Sequence, residues 1–292
     1  MSESLPHSHR ILVAGCGQLG LPLARKLTPS HEVWGLARSR REAEAGIQFI
    51  QADLCAPDSL ASLPANIDTL VYCVSPGERT EDAYRAIYVD GLRNLVTALG
   101  QNSLVKHLIY VSSTSVYGQS AHEWVDEDSP TEASSFSGRI IREGEQLAQS
   151  LCPNACIIRF SGIYGGSRSR LIDMVKSGRA TFKSQPHFSN RIHEADCIGF
   201  MQHLLTLAFA GKKLLPCYLA SDSQPSDQND ILNMLANSLG VKLQFGDAPL
   251  MREGVGSKRC RNTRMLETGY ELKYPSYIEG YAEMLARYER QE

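Results

Sequence analysis

Short apolar runs rich in β-branched residues alternate with longer stretches in which apolar residues recur every three to four positions. RILVAG (10–15), HEVWGLA (31–37), IQFIQA (47–52), DTLVYCV (68–74), HLIYVSS (107–113) and ACIIRF (155–160) read as strands. Their near-continuous apolar character is that of strands buried on both faces. Helical periodicity marks 18–27, 80–99 and 137–151. In the second of these, Ala83, Ile87, Gly91 and Leu95 repeat at i+4 and form one packed stripe. In the third, Ile140, Ile141, Gly144, Leu147 and Leu151 share the inner side. This alternation predicts an α/β protein, a Rossmann-type doubly wound parallel sheet covered by helices on both faces.

Beyond Phe160 the pattern loosens. SGIYGGSRSR (161–170) reads as a loop at a strand's carboxyl end. A helix is expected over 194–210 and a strand over 215–221, both returning to the sheet. After the polar linker SDSQPSDQND (221–230) come a helix at 227–239, a short strand KLQF (242–245), a basic stretch SKRCRN (257–262) and a helix from Tyr277 to Arg290. The expected organisation is a dinucleotide-binding domain over 1–160, rejoined by 191–221. A smaller, partly interleaved substrate lobe takes 161–190 and 222–292.

Composition narrows the class. The 292 residues are 42% hydrophobic and 21% charged, as in a folded globular chain. Thirty Lys and Arg against 32 Asp and Glu give a formal charge of -2, which excludes a general basic nucleic-acid binder. No apolar run reaches the ~18–20 residues of a membrane span. The N-terminal MSESLPHSHR has no apolar core, so no secretory signal is expected. The eight cysteines include no CxxC pair. They are read as reduced core thiols of a cytoplasmic protein, with no metal site.

The chemistry gathers at AGCGQLG (14–20), where Gly15, Gly17 and Gly20 form GxGxxG between a strand and a helix. In that context the first glycine makes the tight turn, the second admits a pyrophosphate and the third lets helix and strand pack closely. Gln18 and Leu19 complete the loop, and the following helix turns its positive end to the phosphates. The end of the second strand selects the cofactor. NAD sites place Asp or Glu there to hold the ribose hydroxyls. This chain has Arg38, then Ser39, Arg40 and Arg41, with no carboxylate before Glu42. Arg38 suits a 2′-phosphate by charge and by its bidentate fork, so NADP(H) is expected over NAD(H). Asp53 and Leu54 after the third strand, and Cys73, Val74 and Ser75 after the fourth, are the other expected contacts, because such sheets bind ligands at the carboxyl ends of their strands.

GCGQLG, Asp53-Leu54, IYVSSTSVYG (109–118), IIRFSGIYG (157–165) and RIHEADCIG (191–199) occur in that order. Together they resemble the extended short-chain dehydrogenases/reductases, also called the NAD(P)-dependent epimerase/dehydratase family, in its atypical, YeeZ-like branch. The resemblance runs to about residue 285. It implies a Ser or Thr four residues before the Tyr of VYG, here Ser113 before Tyr117. Ser113 is then expected both in catalysis and beside the cofactor. It also implies a Tyr-x-x-x-Lys pair on the next helix, in which Lys tunes a phenol of ordinary pKa ~10 toward neutral. Aligning Glu145-Gln146-Leu147 with the family's Glu-Gln-Leu puts Ser137 at the Tyr position and Ile141 at the Lys position. Neither replaces the missing group.

Two readings follow. One is an NADP(H)-dependent oxidoreductase or epimerase in which Ser113 polarises the substrate oxygen and Tyr117 or water handles the proton. The other is a non-catalytic NADP(H)-binding sensor or scaffold. His193 is read as structural. Ser167, Arg168, Ser169 and Arg170, with Lys258, Arg259 and Arg261, could grip an anionic group of a small-molecule substrate. No nucleic-acid or membrane partner is expected, and the chain is expected as a monomer or homodimer.

Overall fold

A computed structural model describes residues 8–42, 44, 46–100, 104–246 and 256–290. Residues 1–7, part of the N-terminal segment expected to carry no signal, lie outside the described residues.

The expected alternation forms one seven-stranded sheet. Its order is Cys217–Ala220, Ala155–Phe160, His107–Ser113, Thr69–Tyr72, Arg10–Ala14, Glu32–Ala37, Ile47–Gln51. From His107–Ser113 to Ile47–Gln51 every neighbouring pair is parallel. The chain starts in the interior, builds outward to Ile47–Gln51, then crosses over to build the other side. The order therefore reverses between Arg10–Ala14 and Thr69–Tyr72. That reversal opens a crevice at the strands' carboxyl ends. The central strands are wholly buried, as in Ile11, Leu12, Val13 and Ala14.

By contacts the chain divides into two units. The first comprises 1–112, 136–158 and 198–217; the second comprises 113–135, 159–197 and 218–292. Segment 113–135 clusters with the second unit, whereas the hydrophobic pattern alone places it in the first. In the first unit one core joins Leu12, Trp34, Tyr72, Leu92, Tyr110 and Ala148. The second unit has its own core, in which Tyr164, Ile172, Ile231, Leu235 and Tyr281 pack together.

Several elements differ from expectation. The first helix is Gly20–Leu27, because residues 16–19 are spent on the turn. The 80–99 helix is interrupted: Glu81–Arg85 passes into a π-turn at Ala86–Asp90, then into Gly91–Gly100. The π-turn is filled from the sheet. Tyr72 donates its hydroxyl to the Ile87 carbonyl at 2.5 Å and Tyr110 donates to the Tyr88 carbonyl at 3.3 Å. The two rings stack with centroids 5.7 Å apart. Gly144, on helix Phe136–Leu151, admits this arrangement: a Cβ there would lie 2.1 Å from the Tyr110 hydroxyl.

Within the second unit, the loop expected at 161–170 contains strand Gly162–Tyr164, paired in parallel with Arg191–His193. The basic stretch 257–262 contains strand Ser257–Cys260, paired with Ala121–Val125. Neither strand shows apolar alternation. All eight cysteines are free. Six are buried, but Cys55 is exposed, so it is no core thiol. Among the described residues no helix is long and apolar enough to cross a membrane, and no group of three His, Cys, Asp or Glu is arranged for a metal ion.

Candidate functional site: a cleft at the sheet's reversal point

The first unit carries a cleft of about 610 Å³ at the carboxyl ends of four strands. Gly15, Cys16 and Gly17 line it from the first strand's turn, and Leu36, Ala37, Arg38, Ser39 and Arg41 from the second. Ala52, Asp53 and Leu54 line it from the third, Cys73, Val74 and Ser75 from the fourth, and Ile87 from the π-turn. The volume suits a cofactor-sized ligand, since such pockets span ~300–1,000 Å³.

The glycine turn is built by close approach. Gly15 has φ +97°, and a Cβ there would lie 2.2 Å from the Cys73 carbonyl oxygen. Only glycine meets both demands. A Cβ on Gly20 would lie 2.1 Å from the Gly15 carbonyl oxygen, so the helix start can seat against the turn only with no side chain there. Gly17 differs: nothing lies within 4 Å of its Cβ position. Packing does not require glycine at 17, and the open space faces the cleft. Leu19, the residue before the helix, makes no side-chain capping bond. Within the first turn the Leu21 N–H donates to the Gly17 carbonyl and the Leu23 N–H to the Leu19 carbonyl, each at 3.1 Å. This turn fits a dinucleotide's pyrophosphate.

The cleft's charge sits at the second strand. Arg38 is exposed, and its guanidinium makes no hydrogen bond or ion pair with any described residue. It stands near Gly77, with Nη2 3.6 Å from a Cβ built there. Arg41 lies over the Phe49 ring at 5.9 Å. Among the described residues, the one carboxylate on the lining is Asp53. Its Oδ1 accepts the Cys55 N–H at 2.9 Å, and its own N–H donates to the Ser59 hydroxyl at 2.9 Å. Burial pushes the Cys16 thiol up to about 11, so it stays protonated and inert at neutral pH.

Eight of the expected cofactor contacts line this cleft: Gly15, Gly17, Arg38, Asp53, Leu54, Cys73, Val74 and Ser75. Gln18, Leu19, Gly20 and Ser113 do not. Leu19 and Gly20 are buried behind the turn. Ile87 was not foreseen, because only the π-turn presents it and no sequence pattern announces one. Cys16, Leu36, Ala37 and Ala52 also went unmarked; all but Leu36 neighbour a marked residue.

Ser113 and Tyr117 belong to the second unit. The Ser113 hydroxyl accepts the Ser115 N–H at 3.1 Å and caps a short 3-10 turn. Tyr117 is buried and its hydroxyl accepts from Arg159 Nη1 at 3.0 Å. Arg159 is itself buried, lies over the Tyr117 ring at 5.1 Å and also donates to the Glu127 carbonyl. On helix Phe136–Leu151, Ser137 and Ile141 are both buried. One turn further, Glu145 is wholly buried, accepting from Ser112 at 2.5 Å and from Arg142 at 2.8 Å.

In the arginine-rich loop Arg170 is exposed, but two of its neighbours are already engaged. Arg168 donates to Glu194 at 2.7 Å, and Ser169 donates to Asp173. Lys258 is buried, which lowers its pKa, while Arg259 and Arg261 lie over Trp124 at 5.1 and 5.5 Å. His193 is buried, with Nδ1 accepting the Ala195 N–H at 3.2 Å.

A doubly wound parallel sheet with a glycine turn at its reversal point defines a nucleotide-binding protein of the Rossmann type. Residues 11–188 match the NAD dependent epimerase/dehydratase family, and the chain belongs to that family. A solved structure from Methylobacillus flagellatus, assigned as an NAD-dependent epimerase/dehydratase, is 38% identical. That match covers 97% of this chain and 100% of that one, with a TM-score of 0.82. The Bordetella bronchiseptica enzyme WbmG, solved in complex with NAD, shares the fold at 18% identity. It covers 97% of this chain and 95% of that one, with a TM-score of 0.76. The spore coat polysaccharide biosynthesis protein SpsK of Bacillus subtilis (strain 168) is 23% identical over 172 residues. That match takes in 56% of each protein, so the chain spans little more than half of this curated relative.

Proposed function

We propose that the chain binds NADP(H) in the cleft of the first unit and serves as an oxidoreductase or epimerase of the atypical branch. The observation that carries the cofactor choice is Arg38, a guanidinium on the cleft wall with no protein partner among the described residues. Among the described residues, no Asp or Glu from the second strand's end lines the cleft beside it. A 2′-phosphate supplies the anion that Arg38 lacks. Gly15 and Gly17 would take the pyrophosphate, and Asp53 and Leu54 the adenine end. The bound nicotinamide supplies hydride transfer.

The chain's own contribution to chemistry is assigned to Ser113, which polarises a substrate oxygen, and to Tyr117 or a water, which handles the proton. The Arg159 donor at the Tyr117 oxygen favours holding that phenol in place. The substrate is proposed to be a small molecule and the setting cytoplasmic. The protein is proposed to act as a monomer or homodimer, without nucleic-acid or membrane partners. One observation favours the sensor reading: a buried Ser137 and a buried Ile141 stand where the family's resemblance places Tyr and Lys.

Turnover of NADPH with a panel of carbonyl substrates separates the two. The enzyme reading expects consumption that Ser113→Ala abolishes. No consumption across the panel, with NADPH still bound, assigns the chain to the sensor reading.

A further inference from the structure

At the amino ends of the first unit's strands, away from the cleft, three histidines meet one phenylalanine. His9 precedes strand Arg10–Ala14, His31 precedes Glu32–Ala37, and His107 opens His107–Ser113. Phe209 is the last residue of helix Glu194–Phe209. All four lie in the first unit. The His9 ring stacks on the Phe209 ring, with centroids 3.7 Å apart and planes within 12°. His31 and His107 meet the same ring edge-on, at 5.0 and 5.7 Å. His9 in turn lies 5.6 Å from His31 and 6.1 Å from His107. Side-chain contacts thus bring four distant segments to one point.

The polar wiring of this cluster favours neutral rings on His31 and His107. His9 Nδ1 donates to Asp68 Oδ1 at 3.3 Å, and the same oxygen accepts the Thr69 hydroxyl at 2.7 Å. Asp68 Oδ2 accepts the Arg10 N–H at 3.4 Å. His31 Nδ1 accepts the His9 N–H at 3.3 Å. Neutral His31 therefore carries its proton on Nε2, and a second proton on Nδ1 breaks that bond. The charged and titratable groups facing His31 are His9 and Asp68; those facing His107 are His9, Asp68 and Lys106. Burial, then the neighbouring His9, holds both rings below the ordinary histidine value, and Asp68 opposes this. Among the groups acting on the two rings Asp68 is the one carboxylate, and it is already bonded to His9. At the same edge Arg10 and Glu32 are paired with each other.

We infer that His9, His31 and His107 form a proton-operated latch, which holds the Phe209 end of its helix on the sheet at neutral pH and releases it in mild acid. Release lets each imidazolium reach water, so the open form binds more protons than the closed one. The closed form is then favoured above about 6.5 and loses ground as pH falls below it. With His31 and His107 both titrating, the opening constant rises by up to about a hundredfold per pH unit. The chain permits a local release. Beyond Phe209 it turns at Gly211, with φ +77°, and enters no further strand or helix before Cys217. Lifting the helix end therefore breaks no ladder of the seven-stranded sheet.

Hydrogen exchange of the full chain, read by mass spectrometry from pH 7.5 to 5 and corrected for the intrinsic pH dependence of exchange, tests the latch. Amides over 202–211 are expected to lose protection as pH falls below about 6.5, while those of strand Arg10–Ala14 keep theirs. His31→Gln and His107→Gln are each expected to cut the pH dependence to about tenfold per unit, and the double variant to abolish it. An NMR titration of the wild-type imidazoles, which needs no variant to fold, is expected to show His31 and His107 protonating below the free-histidine value together with the loss of protection. Protection over 202–211 that is flat with pH overturns the inference. So does a pH dependence that survives in the variants, or a loss shared equally by Arg10–Ala14, which would be global unfolding.

Discussion

At the scale of single residues, the glycine turn separates packing from function. Gly15→Ala places a Cβ 2.2 Å from a carbonyl at φ +97° and is expected to cost more than ~1–3 kcal/mol in denaturant unfolding. Gly17→Ala meets nothing within 4 Å. Its expected outcome is unchanged stability with loss of dinucleotide binding by calorimetry. Equal losses of stability in the two variants would refute this division. On the proposed NADP(H) reading, Arg38→Ala is expected to lose a charge-assisted hydrogen bond of ~1.5–3 kcal/mol, or about 10–100-fold in NADPH affinity by calorimetry, and to leave NADH unchanged. The lining of the cleft was legible because it depends on local spacing: a glycine pattern, and charges just after a strand. Ile87 was not, because its place depends on a helix irregularity fixed by tyrosines from the sheet. Nor did the sequence show that Arg168 is spent on Glu194, since an ion pair between residues 26 positions apart has no local signature.

At the scale of elements, the π-turn at Ala86–Asp90 is held open by two sheet tyrosines. Tyr72→Phe leaves the Ile87 carbonyl without its donor. A loss of about 1–3 kcal/mol is expected, measured by denaturant unfolding. Tyr72→Phe and Tyr110→Phe serve neighbouring carbonyls and stack on one another, so the double variant should depart from additivity. Strict additivity would mean the two donors act independently. The parallel strands were readable as apolar runs because both faces are covered. The ribbon of Ala121–Val125 with Ser257–Cys260 was not, because Trp124 is exposed and Lys258 buried, against the usual polarity. The same holds for Gly162–Tyr164, a three-residue strand whose partner lies far along the chain.

At the scale of the whole molecule, buried titratable groups set opposing pH dependences. Burial lowers the pKa of His31, His107, His187 and His193. The unfolded chain takes up protons on these groups more readily. Their contribution is present above about 6.5 and is lost as pH falls below it. Asp222 acts in the other direction. Burial pushes its carboxyl up to about 8, well above the ordinary aspartate range, so its stabilisation is present in acid and is lost as pH rises toward 8. Thermal melts across pH should show stability falling below about 6.5. Asp222→Asn should gain on the wild type progressively up to about pH 8. A constant difference between the two proteins would contradict a titrating Asp222.

The cleft at the sheet's reversal point is proposed to hold NADP(H) through Arg38 and the glycine turn. Calorimetric titration of cofactor-stripped protein with NADPH, NADP⁺, NADH and NAD⁺ tests it most directly. The expected result is tight binding of the phosphorylated pair and weak binding of the other two, with the difference erased in Arg38→Ala. Tighter binding of NADH than NADPH, or binding of none, would contradict it.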